Sequence, residues 1–422
     1  MSAIDDLLHA IPIPPVVLVK QKFEDNSLKD LNGFLVKQIR KNEAFQRIQP
    51  GSRIAVTAGS RGITDLPEIL RLIAAEISSS GAHPFVIPSM GSHGGATAKG
   101  QEALLEHMGI SEKSVGAPIR STMDVGQIGT SAAGLPVYMD RYAFDADGIV
   151  VVNRIKPHVA FRGTCESGLM KMIAIGLGKQ KGAEVCHDLG LGVMAKNIEE
   201  ISHVALQSKK ILFGVGIVEN AFHKTGEICV LTAADIEKRE PELLKRAWDN
   251  IPRLFFSNLD VLIIDEIGKD ISGTGFDNNV VGRYHTPYAS GGPDITRIAA
   301  LDITEKSGGN GNGLGILDFT TQRAYDKFDF EQTYPNSLTS TVPMSVKIPM
   351  VLRNDKQAIQ AAIKTCNIPK KEDVRLVRIR NTLSLVKIEA SLSLLPEISE
   401  NQNLRIESSG HDFEFDNEGN LF

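Results

Sequence analysis

Cysteine is scarce: Cys165, Cys186, Cys229 and Cys366 are scattered over 422 residues with no CxxC pair. That spacing excludes a disulfide framework, and reduced thiols in a cytoplasmic protein are the expectation. Long apolar runs are missing as well. None approaches the roughly 20 residues that a membrane-spanning helix needs. Met1–Pro15 lacks a basic stretch ahead of an apolar core, so no secretory leader is expected. There is little excess charge of one sign, since the formal net charge is −5. A weakly acidic chain does not favour nucleic acid or an anionic membrane as partner. The chain also has no GxxxxGK[ST] phosphate loop, no GxSxG elbow and no HExxH helix, which removes three common enzyme signatures. No internal repeat or low-complexity linker interrupts it.

What remains is ample apolar material. Hydrophobic residues make up 42% and charged residues 23% of a length suited to two domains with separate cores. Ser52–Thr57 (SRIAVT) reads as a strand ending at Gly59, and Leu66–Ile77 (LPEILRLIAAEI) carries helical apolar spacing. Pro84–Ile87 is a second short apolar run, and Thr97–His107 reads as a helix. Gly148–Val152 (GIVVV) and Lys210–Val218 (KILFGVGIV) read as strands around an amphipathic helix, Ala195–Gln207. Such alternation predicts an α/β fold of two domains, each with a mainly parallel sheet flanked by helices, and an active site in the cleft between them. The boundaries expected are 1–256 and 257–422, the last residues packing back on the first domain. In the second domain Leu259–Ile264 reads as a strand and Ser307–Gly315 as a glycine-rich loop. A helix is expected near Asp355–Lys364, with strands near Arg375–Ile379 and Leu383–Glu389.

Sites in parallel sheets form beyond the C-terminal strand ends. Three polar loops follow predicted strands there: Gly59-Ser60-Arg61-Gly62, Gly91-Ser92-His93-Gly94-Gly95, and the stretch from Asn153. The last is the densest in chemistry. It runs Asn153-Arg154-Ile155-Lys156-Pro157-His158, then Glu166-Ser167-Gly168-Leu169-Met170-Lys171, then His187. Histidine titrates near neutrality and serves proton transfer or metal binding. Gly176, Gly178 and Gly182 allow close approach of backbone to a ligand. Each residue alone has an ordinary reading: a hydrogen-bonded structural histidine, a capped turn at Thr97, a surface Arg61. Lys269, in Asp265–Gly273, fits either a substrate carboxylate or a solvated pairing with Glu266 or Asp270.

In their order and spacing, Gly91–Gly95, Lys156-Pro157-His158, Ser167–Lys171, His187 and Asp265–Gly273 resemble the lactate racemase family of nickel-pincer-nucleotide enzymes, over nearly the whole chain. The resemblance implies a nickel-pincer nucleotide (pyridinium-3,5-bisthiocarboxylic acid mononucleotide nickel) covalently linked to Lys171, with Ser167 and Gly168 beside it. It implies His187 as the nickel ligand and His93 and His158 as alternate acid and base. It also implies Arg61 as the anchor of the substrate carboxylate and Lys269 as a rough counterpart of a substrate-binding lysine. The implied reaction is racemisation or epimerisation at C2 of a small-molecule 2-hydroxy acid by reversible hydride transfer. A hydroxy-acid lyase or dehydratase, or a non-catalytic ligand- or metal-binding homologue, remains open, as does oligomerisation. The chain departs from the lactate enzymes in three places. Ala58 stands where they have aspartate, three extra residues separate His158 from Ser167, and the Asp265–Gly273 run replaces a Tyr-Gln-x-x-Lys motif. Arg154, Lys156, Arg162 and Glu166 point to a larger or more polar 2-hydroxy acid, such as a sugar acid.

Overall fold

Residues 53–58, IAVTA after Arg53, are buried along almost their whole length, so this strand must be covered on both faces. The computed structural model, which describes residues 2–60, 62–208 and 210–422, places it inside a five-stranded sheet. The strand order is His83–Pro88, Arg53–Ala58, Gly148–Arg154, Ile211–Glu219, Thr225–Thr232. The first four strands run parallel and the last is antiparallel. The chain divides into two units, residues 25–251 and residues 1–24 with 252–422. This sheet forms the centre of the first.

The expected elements of that unit form because their apolar spacing can be satisfied against the sheet. Helix Leu66–Ser79 buries Leu66, Ile69, Leu70, Ile73 and Ile77 at intervals of three and four. They join Ile54, Val56, Val150, Val152 and Phe213 of the strands in one core. The opposite face carries Ala55, Ile149 and Val151, also buried, as the two-residue period of a strand requires. Helix Ala98–His107 starts where Thr97 accepts a hydrogen bond from the Gly100 N–H. Elements that the apolar pattern did not indicate include helix Leu31–Lys41, the hairpin Val125–Thr130/Pro136–Asp140, strand Thr225–Thr232 and helix Ala233–Asn250.

The second unit has an eight-stranded sheet. Its parallel part comprises Asn258–Ile267, Asp294–Ile303, Phe319–Thr321, Met350–Leu352 and Leu376–Ile379. Lys387–Ser391, Val16–Gln21 and Leu404–Ile406 extend it antiparallel. This differs from a first domain of 1–256. Val16, Val17 and Val19 are buried on both faces, and the strand they form is paired on both edges, by 387–391 and 404–406. Its hydrogen bonds are made only within the later part of the chain, so the first 24 residues belong there. The C-terminal tail likewise stays in this unit. Phe413, Phe415 and Leu421 pack with Leu8, Ile359 and Ile363 in its core. Among the described residues, no helix is long and apolar enough to cross a membrane.

A chain lacking residues 2–24 leaves two strands of this sheet without their shared partner. Limited proteolysis of that truncated chain should degrade 252–422 first and leave a resistant fragment of 25–251. Equal resistance of both parts would contradict the pairing.

Candidate active site

The C-terminal ends of three adjacent parallel strands in unit 25–251 each lead into a polar loop, as sheet geometry favours for a site. After Ala58 comes Gly59-Ser60. After Pro88 comes the loop of His93, which turns through Gly91, Gly94 and Gly95, all with positive φ. The two loops meet where the Ser60 hydroxyl is hydrogen-bonded to His93 Nδ1. The loop itself is pinned from behind by Gln101, whose side chain is wholly buried. Gln101 Nε2 donates to the carbonyls of Gly91 at 2.9 Å and His93 at 3.2 Å. Arg61 lies outside the described residues.

The third loop opens from Asn153, whose amide donates to the Gly168 carbonyl at 2.7 Å. Lys156 and Ser167 bond to each other through both backbone pairs, at 2.8 and 3.2 Å. That bridge closes residues 157–166 into a tight excursion bearing His158. The His158 N–H donates to Glu166 Oε2 at 2.6 Å, and Ala160 N–H donates to His158 Nδ1 at 3.1 Å. The ring lies against Phe161, centroids 4.3 Å apart. Because Nδ1 accepts a hydrogen bond, a neutral His158 carries its proton on Nε2. Glu166 is buried, which pushes its carboxyl up. The His158 N–H and the Arg162 cation oppose that shift.

Arg154 and Arg162 help build this loop. Arg154 pairs with Glu219, while Arg162 donates to the His158 carbonyl at 2.6 Å and lies over the Trp248 ring at 4.7 Å. Both side chains thus brace this part of the chain.

Ser167-Gly168 leads into a short helix, Leu169–Lys171, and then a π-helical turn, Met172–Gly176. Glu240, fully buried on helix Ala233–Asn250, accepts the Met170 N–H at 2.9 Å. A side chain on Gly168 would collide with it, a Cβ there lying 2.0 Å from Glu240 Oε1. Ser202 donates to the Met170 carbonyl at 2.7 Å. These contacts fix the turn immediately before Lys171. Glu240 and Gln101 were missed from the sequence, because a single acidic or amide residue in a helical stretch carries no signal of burial.

His187 ends the helix Lys179–His187. Burial pushes its ring down to about 4, and the positive charge of Lys171 adds to the shift. The same Lys171 charge reaches Glu166 and Cys186. The structure thus brings Lys171, His187 and the Glu166–His158 loop into one electrostatic neighbourhood. His187 Nδ1 is buried without a hydrogen-bond partner. A neutral imidazole with an unspent nitrogen suits nickel. Among the described residues no group of three or more His, Cys, Asp or Glu could hold a metal ion.

Lys269 belongs to the other unit. Its ammonium donates to the Gly273 carbonyl at 2.8 Å and its N–H to Ser307 Oγ at 2.7 Å. Asn312 donates to the same carbonyl at 2.9 Å.

Residues 18–198, which contain His93, His158, Lys171 and His187, match the family described as the lactate racemase N-terminal domain. Over that stretch the chain is similar to the lactate racemase family. The fold agrees: it is similar to the lactate racemase apoprotein from Thermoanaerobacterium thermosaccharolyticum, with a TM-score of 0.52 and 13% identity. That likeness covers 88% of this chain and 99% of the other. No curated protein matches the chain.

Two buried groups next to the lysine turn titrate in opposite senses. Burial pushes Glu240 up to about 7 from an ordinary 4.5. The stability its proton contributes is present below about pH 4.5 and is lost as the pH rises through 7. His187 contributes stability above its ordinary 6.5 that is lost as the pH falls through 4. Glu240→Gln removes the first effect only. Its melting temperature relative to the parent should therefore rise between pH 5 and pH 8, by the equivalent of about 3 kcal/mol. A relative melting temperature that stays flat or falls over that range would refute the assignment.

Proposed function

We propose that this protein is a racemase or epimerase that inverts C2 of a 2-hydroxy acid. The observation that carries the reading is the pairing of Lys171 with His187, a buried neutral imidazole whose Nδ1 has no protein partner. In this reading Lys171 holds a nickel-pincer nucleotide covalently, beside Ser167 and Gly168, and His187 gives the nickel a nitrogen. When bound, that group supplies the hydride-accepting chemistry at C2.

The chain's own residues then manage the proton on the C2 oxygen. His93 takes the hydroxyl proton, with Ser60 steadying the ring through Nδ1. His158 supplies a proton to the oxygen on the opposite face, and in the reverse direction the two exchange roles. As an acid His158 carries protons on both nitrogens, so the contact from Ala160 is given up in that state. Arg61 is assigned the substrate carboxylate on resemblance, and Lys269 a supporting contact.

Co-expression with pincer-nucleotide biosynthetic enzymes, followed by intact-mass and metal analysis, tests the reading. The parent should carry the added mass on Lys171 and one nickel. Lys171→Ala should carry neither, and His187→Ala should lose nickel. A clean, metal-free parent would overturn it. With the loaded parent, exchange at C2 across a panel of 2-hydroxy acids identifies the substrate. His93→Gln and His158→Gln should each slow that exchange by roughly 10²–10⁴-fold. Dehydration of the acid in place of exchange would point to a lyase instead.

A further inference from the structure

Behind the His93 loop lies a charged pair that no step above uses. Lys179 and Asp140 are both wholly buried. The Lys179 ammonium sits 3.5 Å from Asp140 Oδ2 and donates to the Pro88 carbonyl at 2.7 Å and to Gln101 Oε1 at 2.5 Å. Asp140 Oδ1 in turn accepts the N–H groups of Tyr142 and Ala143 at 2.8 and 3.2 Å, at the end of the hairpin. Lys179 also holds φ at +55°, a conformation that a non-glycine residue keeps only when its surroundings dictate it. Two desolvated charges and an unfavourable backbone are a large cost for a helix start.

The cost is met by what the ammonium orients. An ammonium only donates, so the amide of Gln101 must turn its oxygen to Lys179. Its NH₂ then faces the carbonyls of Gly91 and His93, which can only accept. Were the amide reversed, oxygen would face oxygen on the loop side and NH₂ would face ammonium on the other. Lys179 also holds the last carbonyl of the strand that delivers the loop.

We propose that Lys179, balanced by Asp140 and acting through Gln101, is a positioning residue for His93. It selects the amide orientation that clamps the carbonyls on either side of Ser92, and so sets where the imidazole stands. The claim that this setting serves proton transfer rests on the function proposed above. The clamp itself does not.

Removing Lys179 alone would strand a buried carboxylate, so the variant of choice is Lys179→Met with Asp140→Asn. Gln101→Met leaves the ion pair in place and deletes only the clamp. Two readouts are needed. In protein without cofactor, the NMR titration of the His93 ring is followed. In the loaded enzyme, kcat, KM and the pH profile of kcat/KM for C2 exchange are measured, with the Lys171 adduct checked by mass.

The expected result for both variants is a displaced His93 titration midpoint. In the loaded enzyme kcat should fall about 10²-fold, as loss of orientation typically costs, with little change in KM, a shifted basic limb of the pH profile and a full adduct. A folded Gln101→Met with the parent's His93 titration, kcat and pH profile overturns the proposal. If the double variant fails to fold, Gln101→Met decides alone. If the loaded parent shows no exchange at C2, the proposed function fails while the His93 titration still decides the clamp.

Discussion

The site depends on satisfying backbone N–H groups where water does not reach. The turn from Gly168 to Met170 is buried, and an unpaired amide there would cost roughly 1–3 kcal/mol. Glu240 meets that demand with a carboxyl at zero exposure, at the expense of having its own proton held nearly to neutrality. Because the carboxyl occupies the place of a side chain, the residue before Leu169 has to be glycine. The Ser-Gly pair ahead of Lys171 is thus a steric consequence of the helix that crosses behind it. The lysine's place follows from that contact.

A second economy appears at His93. Buried polar groups there form a chain in which each member has one sensible orientation: a cation, an amide, two carbonyls. A closed network of this type is rigid in proportion to how few alternatives it has. Around His158 the same end is reached differently, with a backbone bridge, a buried carboxylate and an aromatic face. The two histidines are therefore held by separate devices on separate loops.

Much of the α/β pattern was legible because apolar periodicity alone decides it. Ser52–Thr57, Leu66–Ile77, Gly148–Val152 and Lys210–Val218 all lie in elements of the expected type. The convergence of the first two loops could be read only as a consequence of parallel-strand topology, and the Ser60–His93 contact realises it. What stayed hidden depends on long-range pairing. Val16–Gln21 is as apolar as any early strand, and only its partners near residues 390 and 405 reveal which unit it serves. Gln101, Lys179, Asp140 and Glu240 are polar residues in unremarkable contexts. Nothing local distinguishes them from solvated side chains, since their burial is decided by elements far along the chain.

The π-helical turn at Met172–Gly176 bears on how the chain can change. Lys171 and His187 are sixteen residues apart, and on an unbroken α-helix that interval would carry them roughly 24 Å along the axis. The widened turn, followed by the left-handed residue at 179, folds the path back on itself so that one charge is felt by the other ring. The interval between the two residues behaves like a gear ratio. Adding or deleting one residue in the helix that ends at His187 would rotate the later positions by about 100° and carry His187 off the lysine's side. The length of the interval is therefore as strict a requirement of this geometry as Lys179 within it.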